Sequence, residues 1–191
     1  EQFANAGYHK EIVNRLVEPF MWTRVIISAT EWDNFFYLRC HEDAQPDIKY
    51  LADLIKQRMR ASYPHKMNYG QWHTPYFANG WWTPESNVPL VDALKISVSC
   101  CAQVSYRKLD DSLEKADRVF NMLNLVNSDK PGHYSPAEHC ATPLAPNTLA
   151  AVGMSHVDIE GERWSGNFRE WSQLRKQIEQ ERSPFHIGRL I

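Results

Sequence analysis

Residues 133–139 read His133-Tyr134-Ser135-Pro136-Ala137-Glu138-His139, and the fold turns on what stands to either side of them. Two apolar-periodic stretches precede this motif. One runs from about Pro89 to Val104, and one from Asp111 to about Val126 with Leu113, Ala116, Phe120 and Leu123 inward; both predict helices, the second opened by a D-x-x-E capping box at Asp111. After the motif, Phe168, Trp171, Leu174, Arg175 and Ile178 recur at helical spacing and predict a last amphipathic helix. The motif itself sits in a loop from Lys130 to Pro146. Pro136 fixes the backbone there, so that Glu138 can serve as a helix cap or as a ribose acceptor, while His133 and Ser135 can meet phosphate or ring edges. Taken alone, S-P-x-E is also an ordinary helix start.

Working toward the amino end, Ile12, Val13, Leu16 and Val17 predict a short helix that Pro19 ends. Trp22 to Ser28 reads as a strand or an extended connector. Thr30 and Asp33 form a T-x-x-D capping box ahead of a helix carrying Trp32, Phe35, Phe36 and Arg39. Pro46 suits the first turn of the next helix, with Ile48, Leu51, Ala52, Ile55 and Met59 as its apolar stripe. From Ser62 to Pro89 the chain is rich in Pro, Gly, Asn and aromatic residues, Trp72, Trp81 and Trp82 among them. Either a lid or a surface loop pinned by its own rings fits that composition. The organisation expected is therefore 1–61, an aromatic loop 62–88, and 89–191.

Of 191 residues, 43% are hydrophobic and 23% charged, a balance that folds. The net charge of -2 supplies no general field for a nucleic-acid backbone, which weighs against a nucleic-acid module using Tyr76, Trp81 and Trp82 as stacking surfaces. No apolar run approaches the roughly 20 residues that span a bilayer. Cys40, Cys100, Cys101 and Cys140 have no C-x-x-C spacing, so reduced thiols in a cytoplasmic protein are expected. His133 and His139 beside Cys140, with Cys40-His41 elsewhere, match no zinc pattern, and no metal is expected. The chain opens at Glu1 on a helical pattern without methionine, which suggests a piece of a longer protein or a processed product.

Two arginines, Arg15 and Arg39, stand in strongly apolar company. A guanidinium in such a place needs an anion: a ligand phosphate or carboxylate, or an internal carboxylate such as Glu11, Glu18, Glu31 or Asp33. Asn34 lies five residues before Arg39, so on a helix the two side chains point ~140° apart. One small ligand cannot easily touch both; a long ligand, adjacent ligands or a site shared between subunits fits better.

Taken together, these segments resemble the flavin-dependent thymidylate synthases. In that family A-R-V-S-[FY] leads to H-x-[ST]-P-F-E-H, and here C-A-Q-V-S-Y ends at Tyr106 and H-Y-S-P-A-E-H at His139. The family's N-x-R-S-L-x-x-F-L-x-L-R and A-Q-W-E-I segments are mirrored by Asn34 to Arg39 and by Ala44 to Ile48, and its A-R-x-x-L-P by Asn14-Arg15 through Pro19. The order of the two halves is reversed relative to ordinary members. The signature R-H-R-x-x-S-x-N-E-x-S-x-R-Y survives only as an echo holding Arg175, Glu181 and Ser183.

The resemblance implies an α/β (α+β) fold of long helices around a small mixed sheet, and reductive methylation of dUMP to dTMP. It implies FAD as cofactor, NADPH and methylenetetrahydrofolate as co-substrates, and a homotetramer with sites at subunit interfaces. Arg15, Arg39, Glu181 and Ser183 would bind dUMP, with Arg39 also stabilising charge on the pyrimidine. Asn34, Ser105, His133, Ser135, Glu138 and Arg175 would hold flavin and folate. The alternative is a non-catalytic subunit or degenerate domain that keeps the fold for assembly.

Overall fold

A computed structural model describes residues 2–15, 17–104, 109–125, 132–146 and 152–178. The described chain is a mixed α+β protein, with helices α1 (Gln2–Asn5), α2 (Lys10–Arg15), α3 (Asp33–Arg39), α4 (Pro46–Arg60), α5 (Leu90–Ala102), α6 (Leu113–Met122) and α7 (Leu174–Gln177). Its strands are short: β1 (Trp72–His73), β2 (Trp81–Trp82), β3 (Ala141–Pro143), β4 (His156–Val157), β5 (Arg163–Ser165), β6 (Phe168–Arg169) and β7 (Trp171–Gln173). They form one sheet in the order β2-β1-β3-β7 and another in the order β4-β5-β6. Every pairing is antiparallel, so the mixed sheet expected from the resemblance is corrected to two antiparallel ones.

Helices α5 and α6 form the packed centre. Val98, Leu125, Ala137 and Cys140 are buried together, with Leu94, Phe120, Leu123, Tyr134, Leu174 and Ile178 against them. The Lys95 ammonium reaches the Asp117 carboxylate at 2.7 Å and ties the two helices at their rim. The cap of α6 is Ser112, whose hydroxyl accepts from the Lys115 amide, rather than Asp111. Leu113 stands at the exposed start of that helix instead of inside.

The expected helix over Phe168 to Ile178 is replaced by a hairpin. β5 and β6 are joined by Gly166-Asn167, β7 pairs Ala141↔Gln173 with β3, and only Leu174–Gln177 turns helically. Glu170, at φ 59, makes the bend between β6 and β7, and its carboxylate grips the Arg163 guanidinium. An i, i+3 apolar rhythm over so short a stretch satisfies strand pairing as readily as a helix, and the partner strand decided between them.

In the amino-terminal part, α4 opens at Pro46 as expected, yet of its stripe only Ala52 is buried, while Ile48, Leu51 and Met59 face solvent. Trp32, Phe35 and Phe36 cluster edge-on and stacked at α3, and the Lys56 ammonium lies 5.6 Å from the Phe36 ring centre, linking α3 to α4. The expected Thr30 cap does not form: the Thr30 hydroxyl accepts instead from the Arg169 amide at 2.7 Å. Residues 21–30 are an extended connector. It docks on the β5–β6 turn through Thr30, through Asn167, whose side chain donates to the Ser28 carbonyl, and through the Glu31–Arg169 ion pair at 2.7 Å.

Candidate functional site

The packing of α5 on α6 brings the end of the C-A-Q-V segment beside the H-Y-S-P-A-E-H motif. After α6 the chain returns with the His133 amide donating to the Leu123 carbonyl at 2.8 Å, and Ser135–His139 then forms a 3-10 turn begun by Pro136. Ala137 and His139 are buried under it, which leaves His133 and Ser135 exposed on the outer side. These two residues line a cavity of about 410 Å3 with Arg24, Cys101, Val104 and His139. Ser105 follows Val104 directly but lies outside the described residues, as do Glu181 and Ser183.

Arg24 is the residue that sequence reasoning missed. It interrupts an apolar run from Trp22 to Ile27, and its signal was only that of a lone cation in a predicted strand. Its side chain is exposed and meets no carboxylate among the described residues. A guanidinium, an imidazole and a hydroxyl on one concave surface suit an anionic oxygen group such as phosphate.

His139 stands at the wall of this cavity. Burial lowers its pKa, which the Glu138 carboxylate opposes only in part, so the ring is neutral. Its Nδ1 lies 3.2 Å from the Ser28 hydroxyl. Ser28 in turn lines a second cavity, of about 500 Å3, on the other side of the connector. His73, lining that second cavity, is also lowered by burial.

Two imidazoles, the buried His139 and the half-buried His73, whose pKa values burial lowers, have a consequence for stability. The unfolded chain takes up protons at these positions near the ordinary value of 6.5, whereas the native chain does so only at lower pH. Stability is therefore held above that value and lost as pH falls toward the native pKa values. Urea denaturation from about pH 7.5 down to about pH 5.5 should show a falling midpoint, with a shallower fall in His139→Asn. Equal slopes in both proteins would show that His139 does not carry it.

Glu138 and Arg175, both assigned to cofactor, meet each other: Arg175 Nη1 donates to Glu138 Oε2 at 3.0 Å. Arg39 ends α3, where a cation is favourable, and the Lys49 ammonium caps the neighbouring Cys40 carbonyl at 3.0 Å. With Tyr37, His41 and Asp43, Arg39 lines an open cleft of about 310 Å3. Arg15 is exposed at the end of α2. Neither arginine makes an ion pair with a carboxylate among the described residues, so the internal salt bridges that Glu18, Glu31 or Asp33 offered do not form; the Glu11 side chain lies outside the described ones. Asn34 is exposed on α3, five residues from Arg39. Arg39 and His133 line different cavities, and a single chain does not join the two halves of the expected site.

The thiols are unsuited to nucleophilic work. Burial pushes Cys100 up to about 11 and Cys140 up to about 12, and raises Cys101 further. Cys140 lies fully buried with its Sγ 3.2 Å from the Ser97 hydroxyl. Such thiols stay protonated at neutral pH. Among the described residues no three His, Cys, Asp or Glu side chains group to hold a metal ion.

Compared with family models, with curated proteins and with solved structures, the chain matches none of them.

Proposed function

We propose that this chain is a flavin-dependent thymidylate synthase, or a large part of one, that methylates dUMP to dTMP with methylenetetrahydrofolate and NADPH. The observation that supports this reading above the rest is the meeting of two motifs 29 positions apart, Val104 and His133-x-Ser135, on one cavity with Arg24, which makes no ion pair among the described residues. A diphosphate has there the cation and donors it requires, so the residues present fit FAD: Arg24, His133 and Ser135 would hold its phosphates. Flavin, when bound, supplies the hydride that the one-carbon unit needs to become a methyl group.

The chain's own residues supply placement and charge. Arg39, which makes no ion pair with a carboxylate among the described residues, would face the pyrimidine and stabilise negative charge developing there, and Arg15 would take phosphate or ring. No protein thiolate is required, which accords with three buried, protonated cysteines. Because Arg39 and His133 line separate cavities, a complete site would draw on more than one chain. The exposure of Phe20, Met21, Trp22, Val25 and Tyr63 on the amino-terminal part supports assembly into a homo-oligomer.

A second reading is a non-catalytic, synthase-like subunit, favoured by one observation: Glu138 and Arg175 are engaged with each other rather than open to a cofactor. Purification decides between them. The first reading expects visible flavin absorbance and a dUMP-induced rise in melting temperature. A colourless protein that FAD does not reconstitute, with no shift on adding dUMP, would leave the second.

A further inference from the structure

The cavity of about 500 Å3 on the far side of the connector is built differently from the anion site. Its walls come from four separate parts of the chain: residues 27–30 with Trp32, Pro64 and His65 with Met67, the β1–β2 hairpin, and Phe168 with Trp171. Ring surfaces dominate it. The His65 imidazole lies on the Trp81 indole with centroids 4.1 Å apart and planes 7° apart, which fixes the indole in one orientation. Trp32 is fixed as well, its Nε1 donating to the Ala29 carbonyl at 3.1 Å. Rings locked before a ligand arrives lose little freedom when it binds.

Charge is the second property. No Lys, Arg, Asp or Glu lines this cavity; of its two imidazoles, His65 is held face-on against Trp81 and burial lowers the pKa of His73. An ionised ligand entering it would shed water with no opposite charge in the lining to offset the loss. At the mouth stands Asn79, exposed and without a side-chain hydrogen bond among the described residues. A carboxamide there offers one donor and one acceptor side by side, the pairing that an amino-substituted purine edge presents in return.

We propose that this cavity binds the uncharged bicyclic nitrogen heterocycle of a small molecule, stacked among Trp32, Trp81 and Trp171 and read at its edge by Asn79. The volume falls in the range of small-molecule sites. A single-stranded nucleic acid is the less suitable occupant, because a strand needs cations along its backbone path and this lining has none. The inference does not rest on the thymidylate reading, since it involves neither Arg15, Arg39, His133 nor Ser135.

Adenosine is the probe. Titrated into the full chain and followed by calorimetry and by tryptophan fluorescence, it should bind saturably. Trp81→Ala should weaken it at least tenfold, Trp81→Phe about threefold or less, and Trp22→Phe, at a fully exposed indole, not at all. Asn79→Ala, at an exposed position where folding is not at stake, should weaken adenosine several-fold with an unchanged melting temperature; this keeps the test decisive should Trp81→Ala unfold. Absence of saturable adenosine binding overturns the proposal, and so does binding that neither Trp81→Phe nor Asn79→Ala alters. A short oligodeoxyadenylate that binds far more tightly than adenosine, with steep salt dependence, would overturn it in favour of a strand-binding surface. Arg39→Ala should leave adenosine affinity intact, so failure here and failure of the dUMP assignment are read separately.

Discussion

Gly153→Ala is expected to lower stability by about 3 kcal/mol, the sum of ~1–2 kcal/mol for a left-handed backbone and ~1–3 kcal/mol for overpacking. Gly153 sits at φ +83, and a Cβ there would stand 2.9 Å from the Ser172 hydroxyl, 3.0 Å from Gln177 Cγ and 3.2 Å from the Lys176 carbonyl carbon. The last of these is backbone and cannot swing aside. Two further bonds depend on this close approach: the Ser165 hydroxyl donates to the Gly153 carbonyl, and the Ser172 hydroxyl donates to the Val152 carbonyl at 2.6 Å. Gly161 is the control, at φ +85 with open space around it. Gly161→Ala should cost only the backbone part, about 1 kcal/mol. Urea denaturation of both variants separates the contributions, and equal losses would show that the crowding at Gly153 relaxes without penalty. In thermal terms the Gly153 variant should melt roughly 6–12 °C lower.

Loss of dUMP binding in Arg39→Ala is the second large effect. A guanidinium that forms paired hydrogen bonds with an anionic partner carries ~2–5 kcal/mol when truncated, so affinity should fall by about thirtyfold or more. Arg39→Lys keeps the charge but not the planar fork and should recover only part of the loss. Arg169→Ala removes an arginine already satisfied by Glu31 at 2.7 Å and should leave dUMP affinity unchanged. Calorimetry on the assembled protein reads all three. An unaltered Kd in Arg39→Ala would remove Arg39 from the site, and an equal loss in Arg169→Ala would mean that the effect is merely one of net charge.

Local grammar was readable where the deciding interaction lies close in sequence. Pro46 announces α4, and the paired helices α5 and α6 follow their apolar rhythm to within a few residues. Legibility stops where the partner is remote. Thr30 has the form of a capping residue, but its hydroxyl is taken by the Arg169 amide, 139 positions later. Phe168 to Ile178 has helical spacing, and the helix lost to strand pairing with β3. There a nearby signal was available: Gly166-Asn167 between Arg-Trp-Ser and Phe-Arg is a two-residue hairpin connection. For the site, the resemblance named Ser105, His133 and Ser135; His133 and Ser135 line one cavity with Val104, while Ser105 lies outside the described residues. Arg24 could not be foreseen, because nothing near it in the chain says that an extended connector shares a cavity with the end of α5. The apolar stripe of α4 marks the limit from the other side: periodicity shows which face is greasy, not whether the same chain covers it.

The docking of residues 28–31 onto the β5–β6 turn has a kinetic corollary. Ser28, Thr30 and Glu31 leave the ribosome well over a hundred residues before Asn167 and Arg169, which must already stand in their hairpin to receive them. Residues 28–31, with the Trp32 indole beside them, therefore wait undocked through most of translation. Sticky side chains kept waiting are what molecular chaperones bind, and refolding from denaturant should be slowest, and most prone to clumping, at this final closure.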